Sequence, residues 1–188
     1  MIRNIEHYSK LYKGVLDKKT CDDTIEQTKN IEFEQHTFYD PRKGTYGSRS
    51  GNKELDVSWG KVPNTKVIMD KIWHVLKQYQ SELDFPWFNT WEGYSVIRYN
   101  KYLENRKMAL HADHIKSLFD GKRKGIPVLS VLGLLNDDFK GGEFVLFDNE
   151  IIPLEQGDLL IFPSNFMYPH KVEPVTKGTR HSYISWVW

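Results

Sequence analysis

The chain is short of several things, and each shortage removes a class of protein. A single cysteine, Cys21, stands among 188 residues. No internal disulfide framework is possible, and a reducing, cytoplasmic setting is expected. No run approaches the roughly 20 consecutive apolar residues that cross a bilayer as a helix, and the first residues lack the apolar core of a signal peptide. The formal net charge is only +1, so no global field draws the chain to nucleic acid or to an acidic membrane surface. Neither an internal repeat nor a low-complexity tract is visible. Aromatics, by contrast, are plentiful, with six tryptophans, 10 tyrosines and 10 phenylalanines. They suit a β-rich core or an aromatic-lined pocket. The length suffices for one domain with a sizeable core.

The first half reads as helical. Residues 17–30 are polar, with helix formers and either Asp17 or Thr20 to cap them, and they predict a short amphipathic helix. Residues 31–34 alternate apolar and charged side chains, which suits a strand. A stretch rich in glycine, serine and basic residues, 40–61, is expected to be a long loop that carries no core packing. Asn64 is a suitable N-cap for a second helix, whose apolar stripe is Val67, Ile68, Ile72, Val75, Leu76 and Tyr79 and which should end near Ser81.

Beyond Pro86 the pattern turns to short β runs: 91–99, 127–135, 143–147, 159–162, 172–175 and 181–187, separated by Gly, Asp, Asn and Pro. The run 127–135 is continuously apolar, as for a strand covered on both faces. Short strands at this spacing predict a sandwich or barrel. The expectation is a single domain, mainly β with N-terminal helices: residues 1–90 give helical support and a lid loop, and residues 91–188 form a jelly-roll core.

The chemistry collects around His111 and Asp113. One residue apart on an extended segment, they point to the same side, so both can hold one metal ion. His114 falls on the opposite side. A third ligand has to come from a distant segment, either His170 or His181, and His170 is preferred because it precedes a β-branched strand. Two imidazoles and a carboxylate on one face of an ion leave the other face open, the arrangement of non-haem Fe(II) oxygenases. Arg180 lies in an otherwise apolar or hydroxylated strand, and a guanidinium there can grip a carboxylate in two-pronged fashion. Ser182, two residues on, shares its face.

Taken in order, His111-x-Asp113, Gly141-Gly142-Glu143-Phe144, Gly157-Asp158 with the apolar run after it, His170-x-Val172-x-Pro174, Gly178-x-Arg180 and Trp186 resemble the Fe(II)- and 2-oxoglutarate-dependent dioxygenases. Within them the resemblance is to the prolyl-4-hydroxylase-like branch. It covers residues 91–188. It implies a double-stranded β-helix (a cupin-like jelly roll), Fe(II) as cofactor, and 2-oxoglutarate and O2 as cosubstrates. The implied reaction is hydroxylation of a C–H bond, in a prolyl-containing peptide or protein or in a small molecule, with 2-oxoglutarate converted to succinate and CO2. It also implies that Tyr99 touches the cosubstrate and that Arg180, with Ser182, binds its distal carboxylate. The chain departs from the pattern at Leu134, where many relatives carry tyrosine; this shifts more of that binding to Arg180. A lid over the site is expected from residues 40–61, with Tyr46, Arg49 and Trp59 suited to stacking on or gripping a peptide. The loop tip Lys122-Arg123-Lys124 offers a basic alternative contact.

Two other readings stand beside this one. Oxidative demethylases of nucleic acid use the same cofactor, but relatives of that kind carry a second arginine where this chain has Trp186, and the near-neutral charge also counts against it. A non-catalytic metal-binding cupin-like module has no need of Arg180.

Overall fold

Alternation explains most of the architecture. The computed structural model describes residues 4–40, 42–48, 51, 53–84, 93–113, 127–147 and 149–188. After a short 3-10 turn at Ile5–Tyr8, β1 (Lys10–Tyr12) leads into α1 (Lys18–Thr28). Asp17 caps α1 by accepting from the Thr20 amide at 2.7 Å, as its sequence predicts. Next come β2 (Glu34–Gln35), β3 (Phe38–Asp40), β4 (Thr45–Gly47), β5 (Asp56–Ser58) and α2 (Thr65–Leu83). The remaining strands are β6 (Arg98–Tyr102), β7 (Met108–His111), β8 (Leu129–Leu134), β9 (Lys140–Gly141), β10 (Phe144–Leu146), β11 (Glu150–Ile152), β12 (Leu159–Pro163), β13 (His170–Val172), β14 (Val175–Lys177) and β15 (Arg180–Val187).

Among the described residues a seven-stranded antiparallel sheet runs β1-β12-β8-β15-β6-β5-β2, and a four-stranded sheet runs β11-β10-β13-β7. The pairs β3–β4 and β9–β14 stand beside them. The larger sheet is covered on both sides, which is why its central strands are apolar on both faces. Leu129, Val131, Leu159, Ile161, Tyr183 and Val187 face the helices and pack on Cys21, Ile68, Ile72, Leu76 and Tyr79. The intervening Leu132, Leu160, Phe162, Ile184 and Trp186 face the smaller sheet and pack on Met108, Phe144, Leu146 and Val172. Two facing sheets with helices on the outer face of one make the expected double-stranded β-helix. Gly133 is glycine for a packing reason: a Cβ there would lie 2.0 Å from the Tyr183 ring. No helix among the described residues is long and apolar enough to cross a membrane.

Several expectations need correction. Residues 40–61 are no structureless loop. Their second half contains β5, and Leu55 and Val57 are buried in the core between the sheets. The apolar pair escaped notice because glycine and basic residues dominate the stretch. The sheet also crosses the expected boundary at residue 90, since β1, β2 and β5 all precede it. Asn64 starts α2, but its side chain makes no cap bond. It donates instead to Thr24 Oγ1 at 3.0 Å, tying α2 to α1. Val67 is exposed rather than part of the buried stripe. The run 172–175 is split into β13 and β14, and the register between β14 and its partner β9 shifts.

Candidate metal centre and cosubstrate pocket

β7 and β13 are neighbours in the smaller sheet, and their register sets His111 opposite His170. The two imidazole centroids lie 4.3 Å apart. Asp113 follows β7 by two residues and turns its Oδ1 towards both rings, 3.3 Å from His111 Nε2 and 3.6 Å from His170 Nε2. Adjacent ligands of an octahedral ion with bonds of about 2.1 Å are roughly 3 Å apart. One oxygen and two nitrogens therefore converge at a spacing that could hold a single divalent ion.

The atoms facing away from this point are all anchored. His111 Nδ1 donates to the Ala109 carbonyl at 2.8 Å and His170 Nδ1 to the Tyr168 carbonyl at 3.0 Å. A carbonyl can only accept, so each ring carries its proton on Nδ1 and presents a bare Nε2. Asp113 Oδ2 accepts from Ser130 Oγ at 2.5 Å and from Trp186 Nε1 at 2.9 Å, which leaves Oδ1 to the shared point. Ser164 in turn bonds Ser130 at 2.8 Å. Phe162 and Phe144 close over His170, with ring centroids 4.9 and 5.5 Å away, and Phe38 of β3 lies 5.7 Å from His111. Burial, reinforced by the neighbouring His170, lowers the His111 pKa and keeps the ring neutral.

Arg180 lies on the inner face of the large sheet and is 1% exposed. Its Nη1 donates to Ser182 Oγ at 2.9 Å, its guanidinium sits 5.0 Å from the Tyr102 ring, and its Nε has no partner among the described residues. No carboxylate among the described residues pairs with it. Burial lowers its pKa, the mark of a desolvated cation. A buried guanidinium without an anion is costly, and a bound carboxylate would satisfy it with charge-assisted bonds. Gly142 makes room for the arm: its φ is +68°, and a Cβ there would meet Arg180 Cδ at 3.1 Å.

The structure thus brings His111, Asp113, His170, Arg180 and Ser182 to one interior. His181, the alternative third ligand, points to the other face, where its amide bonds Asn136 and burial lowers its pKa to about 4. Tyr99 needs correction. Its hydroxyl pairs with Thr65 of α2 at 2.9 Å, and its ring packs among the helix-facing residues, so it does not reach this interior. The tyrosine beside Arg180 is Tyr102, three residues on and therefore of opposite facing. Leu134 opposes Ser182 as an apolar neighbour. Of the expected lid residues, Tyr46 is exposed on β4, and Trp59 lies 6.0 Å from the Trp186 ring. Arg49, His114 and Lys122 to Lys124 lie outside the described residues. Reading the sequence also missed Arg98, Asn100 and Ser130. Arg98 carried the signal that marked Arg180, a cation within an apolar strand.

Comparison with known proteins agrees with this geometry. The family model described as the 2OG-Fe(II) oxygenase superfamily matches residues 96–188. A PKHD-type hydroxylase of Idiomarina loihiensis is 38% identical over 94 residues, covering 48% of this chain and 41% of that protein. The chain thus spans less than half the length of the curated relatives it matches. Among solved structures, a viral collagen prolyl hydroxylase from Paramecium bursaria Chlorella virus-1, in a 2OG complex, superimposes with a TM-score of 0.66 at 15% identity over 96% of this chain and 94% of that one. A prolyl hydroxylase of Trichoplax adhaerens, complexed with a hypoxia-inducible-factor peptide, gives 0.68 at 18% identity over 96% and 83%. At such identities these two likenesses are ones of fold. The chain belongs to the 2OG-Fe(II) oxygenase superfamily, whose cofactor is Fe(II) and whose cosubstrates are 2-oxoglutarate and O2.

Proposed function

We propose that this chain is an Fe(II)- and 2-oxoglutarate-dependent dioxygenase that hydroxylates a C–H bond, most suitably in a prolyl-containing peptide or protein. His111, Asp113 and His170 would hold the iron, and Arg180 with Ser182 the distal carboxylate of 2-oxoglutarate, Tyr102 flanking that contact. The observation that carries the reading is the Arg180 guanidinium, buried with no carboxylate to pair it among the described residues, on the sheet face that meets the three candidate ligands. A plain metal-binding cupin-like module has no use for it. When bound, the iron and its cosubstrate supply oxygen activation, coupled to decarboxylation of 2-oxoglutarate to succinate and CO2. The protein's share is positional. The Nδ1 anchors fix the two rings, Ser130 and Trp186 fix the carboxylate, and Phe38, Phe144 and Phe162 keep water from the ion.

The prolyl assignment is supported by the fold likeness to two prolyl hydroxylases. The hairpin of β3 and β4 borders the site through Phe38, which supports a lid in the first half of residues 40–61, with Tyr46 on its outer strand. Cytoplasmic placement suits the buried Cys21, whose thiol pKa burial pushes up to about 12, leaving it inert. The test is turnover of 2-oxoglutarate with prolyl peptides, free amino acids and oligonucleotides, read by mass spectrometry. A gain of one oxygen on a prolyl substrate is expected. Oxidation of oligonucleotides alone would move the chain to the demethylase reading, and absence of succinate with every substrate would sink the enzyme.

A further inference from the structure

The inner face carries a second buried arginine that the roles above do not use. Arg98, on β6, is 8% exposed. Its Nε donates to Asn100 Oδ1 at 3.1 Å, and its guanidinium stacks on the Trp186 ring with 5.0 Å to the centroid. No carboxylate among the described residues forms an ion pair with it. Register fixes where it lies relative to Arg180. Arg180 pairs with Tyr102, and Arg98, four residues back along β6, pairs with Ile184. At about 3.3 Å per residue the two rungs are about 13 Å apart. The next rung beyond Arg98 joins Trp186 to Ser130, the two residues that hold Asp113. Arg98 therefore sits at the Asp113 end of the row and Arg180 at the other.

Charge points the same way. The carboxylate whose field reaches Arg98 is Asp113, which the loaded site commits to the iron, while the buried Glu54 lies by Tyr102 at the Arg180 end. Arg98 is then left without an ion pair of its own in a desolvated place, which is costly.

We propose that Arg98 is a substrate-binding residue, which receives a carboxylate carried by the substrate close to the carbon that is hydroxylated. This rests on the dioxygenase reading and narrows its substrate to an acidic one. The carboxylate can be a chain terminus or an acidic side chain. Trp186 and the half-exposed Trp59 beside it give the substrate an aromatic wall.

The test uses the full chain, anaerobic, with Fe(II) and saturating 2-oxoglutarate, and calorimetry with three probes: N-acetylproline, N-acetyl-aspartyl-prolinamide and N-acetylprolinamide. At least one acid is expected to bind tenfold or more tightly than the neutral amide, and which one identifies the source of the carboxylate. Arg98→Gln should abolish the preference while 2-oxoglutarate binding, followed separately, stays unchanged. Equal or undetectable binding of acids and amide, or a preference surviving in Arg98→Gln, overturns the proposal. If Arg98→Gln also loses iron or 2-oxoglutarate, Arg98→Lys decides: it keeps the charge without the planar fork, so a reduced preference is expected and an undiminished one overturns the idea. Failure of the unaltered chain to bind Fe(II) with 2-oxoglutarate, seen before any probe is added, sinks the dioxygenase reading instead.

Discussion

The two faces of the seven-stranded sheet come from the same strands and differ by one residue of phase. On the outer face Tyr99, Val131, Ile161 and Tyr183 meet two helices in an apolar cluster. Tyr99 finds a partner there in Thr65, while the neutral Tyr183 hydroxyl is buried without one among the described residues. On the inner face Arg98, Asn100, Arg180, Ser182 and Ser130 alternate with those residues along the strands. Two of them are buried cations that form no ion pair among the described residues. Burial alone thus does not separate core from site. The separation lies in buried charge: the outer cluster holds neutral groups, whereas the inner face holds two guanidinium groups with no ion pair among the described residues.

That contrast can be broken from either side. The largest effect is expected from His170→Ala or Asp113→Ala, which should abolish iron binding and turnover while circular dichroism still reports the folded sheets. Full activity in His170→Ala would remove it from the site altogether. Leu76→Ala acts on the other face. Leu76 is fully buried, so a loss of about 2–5 kcal/mol in denaturant unfolding is expected from the cavity, with unchanged 2-oxoglutarate binding in the molecules that remain folded. Ser130→Ala is subtler, removing one of the two donors that fix Asp113 Oδ2. Second-layer changes of this kind cost roughly 10–100-fold in metal affinity, so an iron titration should weaken within that range with little change in melting temperature. An unaltered affinity would mean that Trp186 suffices. The smallest effect on binding is expected from deleting residues 44–51. Iron and 2-oxoglutarate should still bind while hydroxylation falls severalfold and more succinate forms per hydroxylated product. Unchanged coupling would dismiss the lid.

Much of this was legible beforehand, for stated physical reasons. The spacing of His111 and Asp113, the position of His170 and the cation in the last strand gave the interior site, because strand parity and the cost of burying charge hold without coordinates. The apolar runs gave β8, β10, β12 and β15, and the stripe from Ile68 to Tyr79 gave α2. Strand phase, where the pattern supplied no apolar reference, was not legible. In Val-Ile-Arg-Tyr-Asn-Lys-Tyr both faces of β6 are buried, so alternation could not say whether Tyr99 or Tyr102 faces inwards, and the wrong choice also concealed Arg98. Strand β5 was hidden differently. Three residues between glycine- and lysine-rich neighbours make too short a run for periodicity, and their place is fixed by pairing with β6, 40 or so residues away in sequence.

The most direct measurement is the affinity of the anaerobic, Fe(II)-loaded chain for 2-oxoglutarate, followed by its weak visible absorption, in the unaltered chain, Arg180→Ala, Arg180→Lys and Tyr99→Phe. Loss of a buried charged contact costs roughly 2–5 kcal/mol. Arg180→Ala should therefore weaken binding by that much and Arg180→Lys by less, while Tyr99→Phe, on the other face of the sheet, leaves it unchanged. Weakened binding in Tyr99→Phe together with normal binding in Arg180→Ala would contradict the assignment of the two faces.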